Sequence, residues 1–162
     1  MSQGLFQIGK EDFTVTACYD RPVASGWNEL LKRMHWWGGI ALKEIRTCFT
    51  HGTYEAVLYY VVLLREDYLW EWPREFDREG IIPADAVHLF AFGLRYLKEE
   101  VSPAKRTPIV VLAPGSIWRC SHDILIEAPG LVWDGFYHAP GPKLHTESAP
   151  FQKGTRILAV RE

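Results

Sequence analysis

Two apolar-rich runs decide the fold: Ile40-Ala-Leu-Lys-Glu-Ile-Arg-Thr-Cys-Phe49 and Tyr54-Glu-Ala-Val-Leu-Tyr-Tyr-Val-Val-Leu-Leu64. The segment that joins them, Thr50-His51-Gly52-Thr53, is polar and contains a glycine. Two such runs around a short glycine-containing turn are typical of a β-hairpin. The second run is also hydrophobic enough for a buried helix, but its β-branched and aromatic residues favour a strand. It is the most hydrophobic stretch of the chain, so we expect it near the middle of the sheet.

The segments around this hairpin show their own patterns. Residues 13–19 are rich in β-branched and aromatic side chains and predict a first strand. Ser25 is a suitable N-cap, and the apolar residues after it recur at helical spacing, which predicts a short amphipathic helix: Trp27, Leu30, Leu31 and Met34. After the hairpin, Pro73 and the charged residues 74–79 predict a surface loop.

Pro83 predicts the start of the clearest helix in the chain. Its apolar face repeats at about 3.6 residues through Val87, Phe90, Ala91, Leu94, Leu97 and Val101. A strand is predicted at 108–113, and shorter strands at 117–120, 123–126, 131–133 and 156–160. The Ala128-Pro129-Gly130 turn and the Pro- and Gly-rich residues 139–154 separate these shorter strands.

The order of these elements predicts the fold class. Strand, helix, strand, strand, helix and strand follow one another up to residue 113. This order predicts an α+β fold of the ferredoxin-like (βαββαβ) type, an antiparallel sheet backed by two helices. Residues 114–162 are predicted to form a β-rich, Pro- and Gly-rich extension of the same domain. A chain of 162 residues is the usual size of a single domain.

Composition limits the function classes. With a net charge of −2 and no basic run longer than two residues, the chain shows no extended nucleic-acid surface. The longest apolar run, Ala56–Leu64, is too short for a membrane helix. Three widely spaced cysteines argue against a disulfide framework and predict a cytoplasmic protein. Phosphate-binding glycine patterns do not occur, so we expect no cofactor. Seven Trp, seven Tyr and eight Phe suggest that some rings serve a binding surface or an interface, including a homo-oligomer interface.

The predicted hairpin tip is the first candidate site. His51, Tyr54 and Glu55 bring a base, a hydrogen-bond donor and a carboxylate within five residues. In an enzyme, His51 would be the acid/base and Glu55 its partner or the base, with His122 or His138 contributed by the tail. The structural alternative is a turn selected only for the backbone freedom of Gly52.

The second candidate site lies in the tail and the aromatic segments. Cys120 and His122 alternate along a predicted strand and would share one face, which allows a nucleophile–base pair. The spacing of His122, His138 and His145 matches no compact zinc pattern, so we predict no metal site. Trp70 and Trp72 flank Glu71 and would offer a stacking surface for a ligand that also reaches Tyr54 and His138, although a core or interface position is the alternative.

Two functions remain open from the sequence. The first is a small binding protein that acts on a protein partner or sequesters a small ligand through its aromatic-rich surface. The second is a small hydrolase or lyase for a nucleotide-like or other polar metabolite, with its site at the hairpin tip.

Overall fold

The computed structural model describes residues 4–23, 25–26, 29, 47, 49–67, 72–96, 109–116, 118–119, 126–133, 143–148 and 150–162. The strands are β1 Phe6–Cys18, β2 Thr53–Leu63, β3 Ile82–Pro83, β4 Ile109–Leu112, β5 Trp118–Arg119, β6 Ile126–Trp133, β7 Lys143–Ser148 and β8 Arg156–Arg161. The helices are α1 Trp72–Glu79 and α2 Ala86–Tyr96, with a 3₁₀ turn at Pro114–Ser116. Val23, Ser25, Gly26 and Glu29 are also helical.

One mixed sheet organises these elements. Its strand order is β1-β2-β8-β4-β6-β5, and β3 pairs with β8 while β7 pairs with β6. The β4–β8 pair is parallel and the other pairs are antiparallel. The protein is therefore an α+β fold. The ferredoxin-like order is not shown, because the described chain is mostly strands and the last strand, β8, lies beside β2.

β2 lies between two partners. β1 pairs with it antiparallel from Phe6↔Leu63 to Cys18↔Thr53, and β8 pairs with its other edge from Val57↔Arg161 to Val62↔Arg156. The strand and its inner position are thus confirmed. β1 and β8 occupy both edges of β2 from Val57 to Val62, so the hairpin partner predicted at 40–49 does not pair along that part of β2. Residues 40–46 and 48 lie outside the described residues.

Alternation along β2 divides the core between the two faces of the sheet. The even-numbered residues face α2 in a cluster that includes Phe13, Val15, Ala56, Leu58, Tyr60, Leu89, Phe90 and Phe92. The odd-numbered residues face α1 in a second cluster that includes Tyr59, Val61, Leu63, Trp72, Phe76, Phe151 and Ile157. Both faces of β2 are buried, which explains why its sequence is nearly continuous in apolar residues.

Some of the secondary structure predicted from local sequence patterns is confirmed, and some of it is wrong. The strands predicted at 13–19, 108–113 and 156–160 are confirmed, and so is the helix after Pro83. The loop predicted at 73–79 is wrong, since α1 begins at Trp72 and Pro73 occupies its first turn, where a missing N–H removes no helical hydrogen bond. Ser25 is helical, whereas the apolar residues predicted for that helix lie outside the described part of the chain.

The tail forms longer strands than the sequence predicted. β6 runs without interruption through Pro129, where a turn was predicted. Pro129 lies just beyond Gly130, the last β6 residue paired with β4, and its carbonyl accepts a hydrogen bond from the Ala113 N–H at 3.0 Å. β7 lies inside the segment predicted as a loop and pairs along β6. Within the described residues, neither helix has the length and apolar character needed to cross a membrane.

Leu58 tests the assignment of β2 as the inner strand. Leu58 is fully buried on the face that α2 covers. Leu58→Ala is expected to lower the free energy of unfolding by about 2–5 kcal/mol, because it leaves a cavity in the core. Ile82→Ala, at a 39% exposed position, is expected to change it by less than about 0.5 kcal/mol. Urea unfolding measures both variants, and equal losses would contradict the assignment.

Candidate functional site

The candidate site forms where β1 ends and β2 begins. The Tyr19 N–H donates to the Gly52 carbonyl at 2.8 Å, and the Gly52 N–H donates to Asp20 Oδ1 at 2.8 Å. Gly52 has a φ of 97°, and a Cβ there would come within 2.8 Å of the Tyr54 hydroxyl. The position therefore requires glycine for its backbone conformation and for the ring that packs over it.

An aromatic cluster of Tyr19, Phe49 and Tyr54 lies beside this junction. Phe49 stacks on Tyr54 with ring centroids 4.6 Å apart and planes inclined by 27°. Tyr19 meets both rings edge to face, at 5.3 Å from Phe49 and 6.0 Å from Tyr54. Tyr19 is buried, but Phe49 is 46% exposed and Tyr54 is 41% exposed. Two stacked rings are thus held at the surface on a buried third ring.

A pocket of about 420 Å³ opens next to the aromatic cluster. Its walls are the segment 19–23, the residues Thr47, Phe49 and Thr50, and Val87 at the start of α2. A smaller cavity of about 110 Å³ lies on the other side of Arg21–Val23, between β1 and α2. The larger space has two aromatic walls, two threonines, a carboxylate and a guanidinium, which is a suitable set for a small organic ligand.

A buried polar network lies next to the pocket. Tyr19 donates its hydroxyl to Asp85 Oδ2 at 2.9 Å. Asp85 Oδ1 accepts the backbone N–H groups of Val87 at 3.0 Å and His88 at 3.1 Å, so Asp85 is the N-cap of α2. His88 Nδ1 lies 2.9 Å from Asp85 Oδ1 and 3.2 Å from the Asp85 N–H. Ser116 Oγ accepts the Ala86 N–H at 2.8 Å.

This network positions Tyr19. Asp85 and His88 are buried, and their contacts satisfy the first backbone N–H groups of α2. Tyr19 is the member of the network that also lines the pocket. A general acid or base must reach the proton it transfers, and neither Asp85 nor His88 lines the pocket. The arrangement is therefore suited to holding a ring in place.

Cys18 carries a perturbed thiol beside the same junction. The Thr53 hydroxyl lies 3.5 Å from Cys18 Sγ, and its hydrogen bond lowers the pKa of the Cys18 thiol, as do the backbone N–H groups of Asp20 and Arg21. Burial and the Asp20 charge act in the opposite direction, but the pKa stays below its ordinary value. The thiol at this position therefore loses its proton more readily than that of an ordinary cysteine.

The structure does not bring together the side chains of the three residues predicted to form a site at the hairpin tip, His51, Tyr54 and Glu55. His51 is exposed, and its Nδ1 lies 3.1 Å from the Thr50 hydroxyl. Tyr54 belongs to the aromatic cluster. Glu55 is exposed and follows Tyr54 in β2, so the two side chains point to opposite faces of the sheet. The structure therefore places Tyr54 in the aromatic cluster, stacked on the pocket-lining Phe49, and directs Glu55 to the other face of the sheet.

The other predicted site residues are distributed differently. Trp72 is fully buried, with ring centroids 5.6 Å from Phe6 and 5.4 Å from Phe151, and its Nε1–H has no hydrogen-bond partner among the described residues. The Trp72 ring lies in the core, which is the alternative position that the sequence allowed. Its role in stacking on a ligand stays a prediction. Trp70, Cys120, His122 and His138 lie outside the described residues. Among the described residues, no group of three or more His, Cys, Asp or Glu side chains is arranged to hold a metal ion.

Sequence reasoning missed most of the pocket. Tyr19 was predicted only as a strand residue, and Phe49 only as the end of an apolar run. An N-cap signal was present for Asp85, because an aspartate directly before an apolar helix is a preferred N-cap residue. No sequence signal joins Tyr19 to Asp85, which are 66 residues apart.

Comparison with protein-family models, curated proteins and solved structures finds no match to this chain. Function is therefore inferred from the geometry of the pocket.

The cap is tested by two substitutions of Asp85. Asp85→Ala removes the acceptor for two backbone N–H groups and for the Tyr19 hydroxyl, so we expect the free energy of unfolding to fall by about 2–4 kcal/mol. Asp85→Asn keeps a side-chain oxygen for the cap and should cost clearly less. Asp77→Ala removes an exposed carboxylate as the control. Urea unfolding at neutral pH gives all three values, and equal costs for the Ala and Asn variants would refute the cap.

The lowered thiol pKa predicts the reactivity of Cys18. Its alkylation by iodoacetamide, followed by peptide mass spectrometry, should reach half its maximal rate at a lower pH than a free cysteine does. Thr53→Val removes the hydrogen bond that lowers the pKa most, so its profile should move to higher pH, while Thr53→Ser keeps the hydroxyl. Because the pKa of the Cys18 thiol is lower in the folded state than in the unfolded state, the thiolate increases the free energy of unfolding above the unfolded-state pKa. That contribution is lost as the pH falls through the folded-state pKa. Identical profiles for all three proteins would exclude this assignment.

Proposed function

We propose that this chain is a non-enzymatic binding protein that sequesters a small organic ligand in the pocket between residues 19–23 and Thr47, Phe49 and Thr50. The observation that carries the proposal is the stacked pair Phe49–Tyr54, which is exposed at the edge of the site while Tyr19 supports it from below. Phe49 and Tyr19 both line the pocket, so an occupant would contact aromatic surface on entry.

The free energy gained by covering the exposed rings supports a ligand-binding function. Exposed aromatic rings are unfavourable in water, and covering apolar surface stabilises a complex by roughly 25 cal/mol per Å². Stacking of a planar group on an aromatic side chain contributes about 1–3 kcal/mol more. The pocket volume of about 420 Å³ lies within the roughly 300–1,000 Å³ typical of ligand sites. Hydrogen bonds at Asp85 and Gly52 fix the supporting ring before a ligand arrives, which lowers the ordering cost of binding.

The pocket favours a small ligand over a protein partner. Protein interfaces typically bury about 800 Å² on each partner, whereas the exposed aromatic surface described here is two rings beside a concave space. Binding of a partner protein is the alternative form of the proposed function, because exposed aromatic rings are also common at protein interfaces. The few, widely spaced cysteines support a cytoplasmic location for either form.

Catalysis at the hairpin tip has weaker support. The proposed pair of His51 and Glu55 would need a common substrate position, but the hydrogen bond described for His51 goes to Thr50, and Glu55 points away from the face that carries Tyr54. No specific contact therefore favours the hydrolase or lyase function over binding.

Phe49→Ala tests the binding function directly. Isothermal titration calorimetry with tryptophan, adenosine and choline as probes should detect binding of at least one probe to the wild-type protein. Phe49→Ala removes the ring that lines the pocket and is expected to weaken that binding about tenfold or more, consistent with a loss of about 1–3 kcal/mol of stacking.

The control is Ile8→Ala. Ile8 is 49% exposed, comparable to Phe49, and lies near the opposite end of β1. This variant should bind as the wild type does. If no probe binds, or if Phe49→Ala and Ile8→Ala bind alike, the pocket is not the ligand site and the proposal fails.

A further inference from the structure

We infer that the ligand of this pocket is an organic cation, carrying a quaternary or protonated ammonium group. The inference rests on the proposed binding function and specifies its ligand class. It depends on the combination of aromatic rings and charged side chains around the pocket.

The first argument comes from the rings. The face of an aromatic ring carries negative potential and attracts a cation within about 6 Å of its centroid. Tyr19 and Phe49 line the pocket, and Tyr54 stacks on Phe49 at 4.6 Å. Phe49 is the most exposed of the three rings, so it offers the largest free surface to an ammonium group.

The second argument comes from the charges on the walls. Among the described lining residues, the charged side chains are Asp20 and Arg21. Arg21 Nη1 lies 3.4 Å from Glu29 Oε2, so its charge is partly offset by a carboxylate outside the pocket. Asp20 is held at the pocket wall by the Gly52 N–H, which donates to its Oδ1 at 2.8 Å. The described walls carry one negative and one positive charge, and because Glu29 outside the pocket partly offsets Arg21, the Asp20 carboxylate favours a cation over an anion.

The third argument comes from the placement of Asp20 relative to the rings. Asp20 follows Tyr19 directly, and both residues bond to Gly52, Tyr19 through its backbone N–H and Asp20 through its carboxylate. The carboxylate and the aromatic wall are thus fixed to one glycine. An ammonium group in the pocket would meet a ring and a carboxylate, the two kinds of group that bind organic cations in water.

Choline and 3,3-dimethylbutan-1-ol test the inference, because the alcohol has nearly the same shape as choline but no charge. In calorimetry at constant ionic strength, choline should bind the wild-type protein at least tenfold more tightly than the alcohol. Phe49→Leu keeps an apolar side chain without a ring face, and Asp20→Asn removes the charge but keeps an oxygen for the Gly52 N–H. Both should weaken choline binding about tenfold while leaving the affinity for the alcohol nearly unchanged.

The outcomes separate this inference from the proposed function. Choline selectivity that both variants reduce, and that Ile8→Ala preserves, supports it. Equal affinity for choline and the alcohol, or Phe49-dependent binding of tryptophan or adenosine alone, overturns the cation inference but leaves the binding function intact. If no probe shows Phe49-dependent binding, the proposed function and the inference both fail.

Discussion

The antiparallel pairing of β1 with β2 is the constraint on which the rest of the structure depends. The register sets Phe13 against Leu58 and Cys18 against Thr53. The register shifts between Ile8 and Asp12, and because side chains alternate along a strand, the register from Asp12 to Cys18 decides which β1 side chains meet α2. It also brings the two residues after β1 to Gly52, where Tyr19 bonds through its backbone N–H and Asp20 through its carboxylate. A shift of β1 by one residue would turn the buried Phe13 and Val15 away from the α2 face and separate the aromatic cluster.

The N-cap of α2 connects this register to the helix layer. Asp85 accepts the Val87 and His88 N–H groups with one oxygen and the Tyr19 hydroxyl with the other. The cap that a helix needs for its own stability therefore also fixes the ring beside the pocket. Ser116 extends the connection to the 3₁₀ turn after β4 by accepting the Ala86 N–H. Three segments distant in sequence, represented by Tyr19, Asp85 and Ser116, therefore meet at the start of one helix.

Sequence analysis predicted local structure better than pairing. The strand at 54–64 and the helix after Pro83 follow from hydrophobic pattern and proline position, which act within a few residues. The partner of β2 could not be predicted, because an apolar strand with two buried faces accepts several partners equally well. Of the predicted site residues, Tyr54 reaches the aromatic cluster because β2 places it there. The contribution of Tyr19 depends on the β1–β2 register, which no local pattern contains.

The polar groups near the pocket divide into those that support it and those that face it. Asp85 and His88 are buried and bonded to backbone and to each other, so they keep the site rigid but do not reach an occupant. The side chains on the wall are Tyr19, Phe49 and Asp20, together with two threonines and Arg21. Preformed aromatic rings beside a carboxylate can bind a ligand of matching shape and charge. Catalysis would instead need an accessible base that is held by a partner of its own. These features support the proposed binding function, and the buried network holds Tyr19 in place beside the pocket.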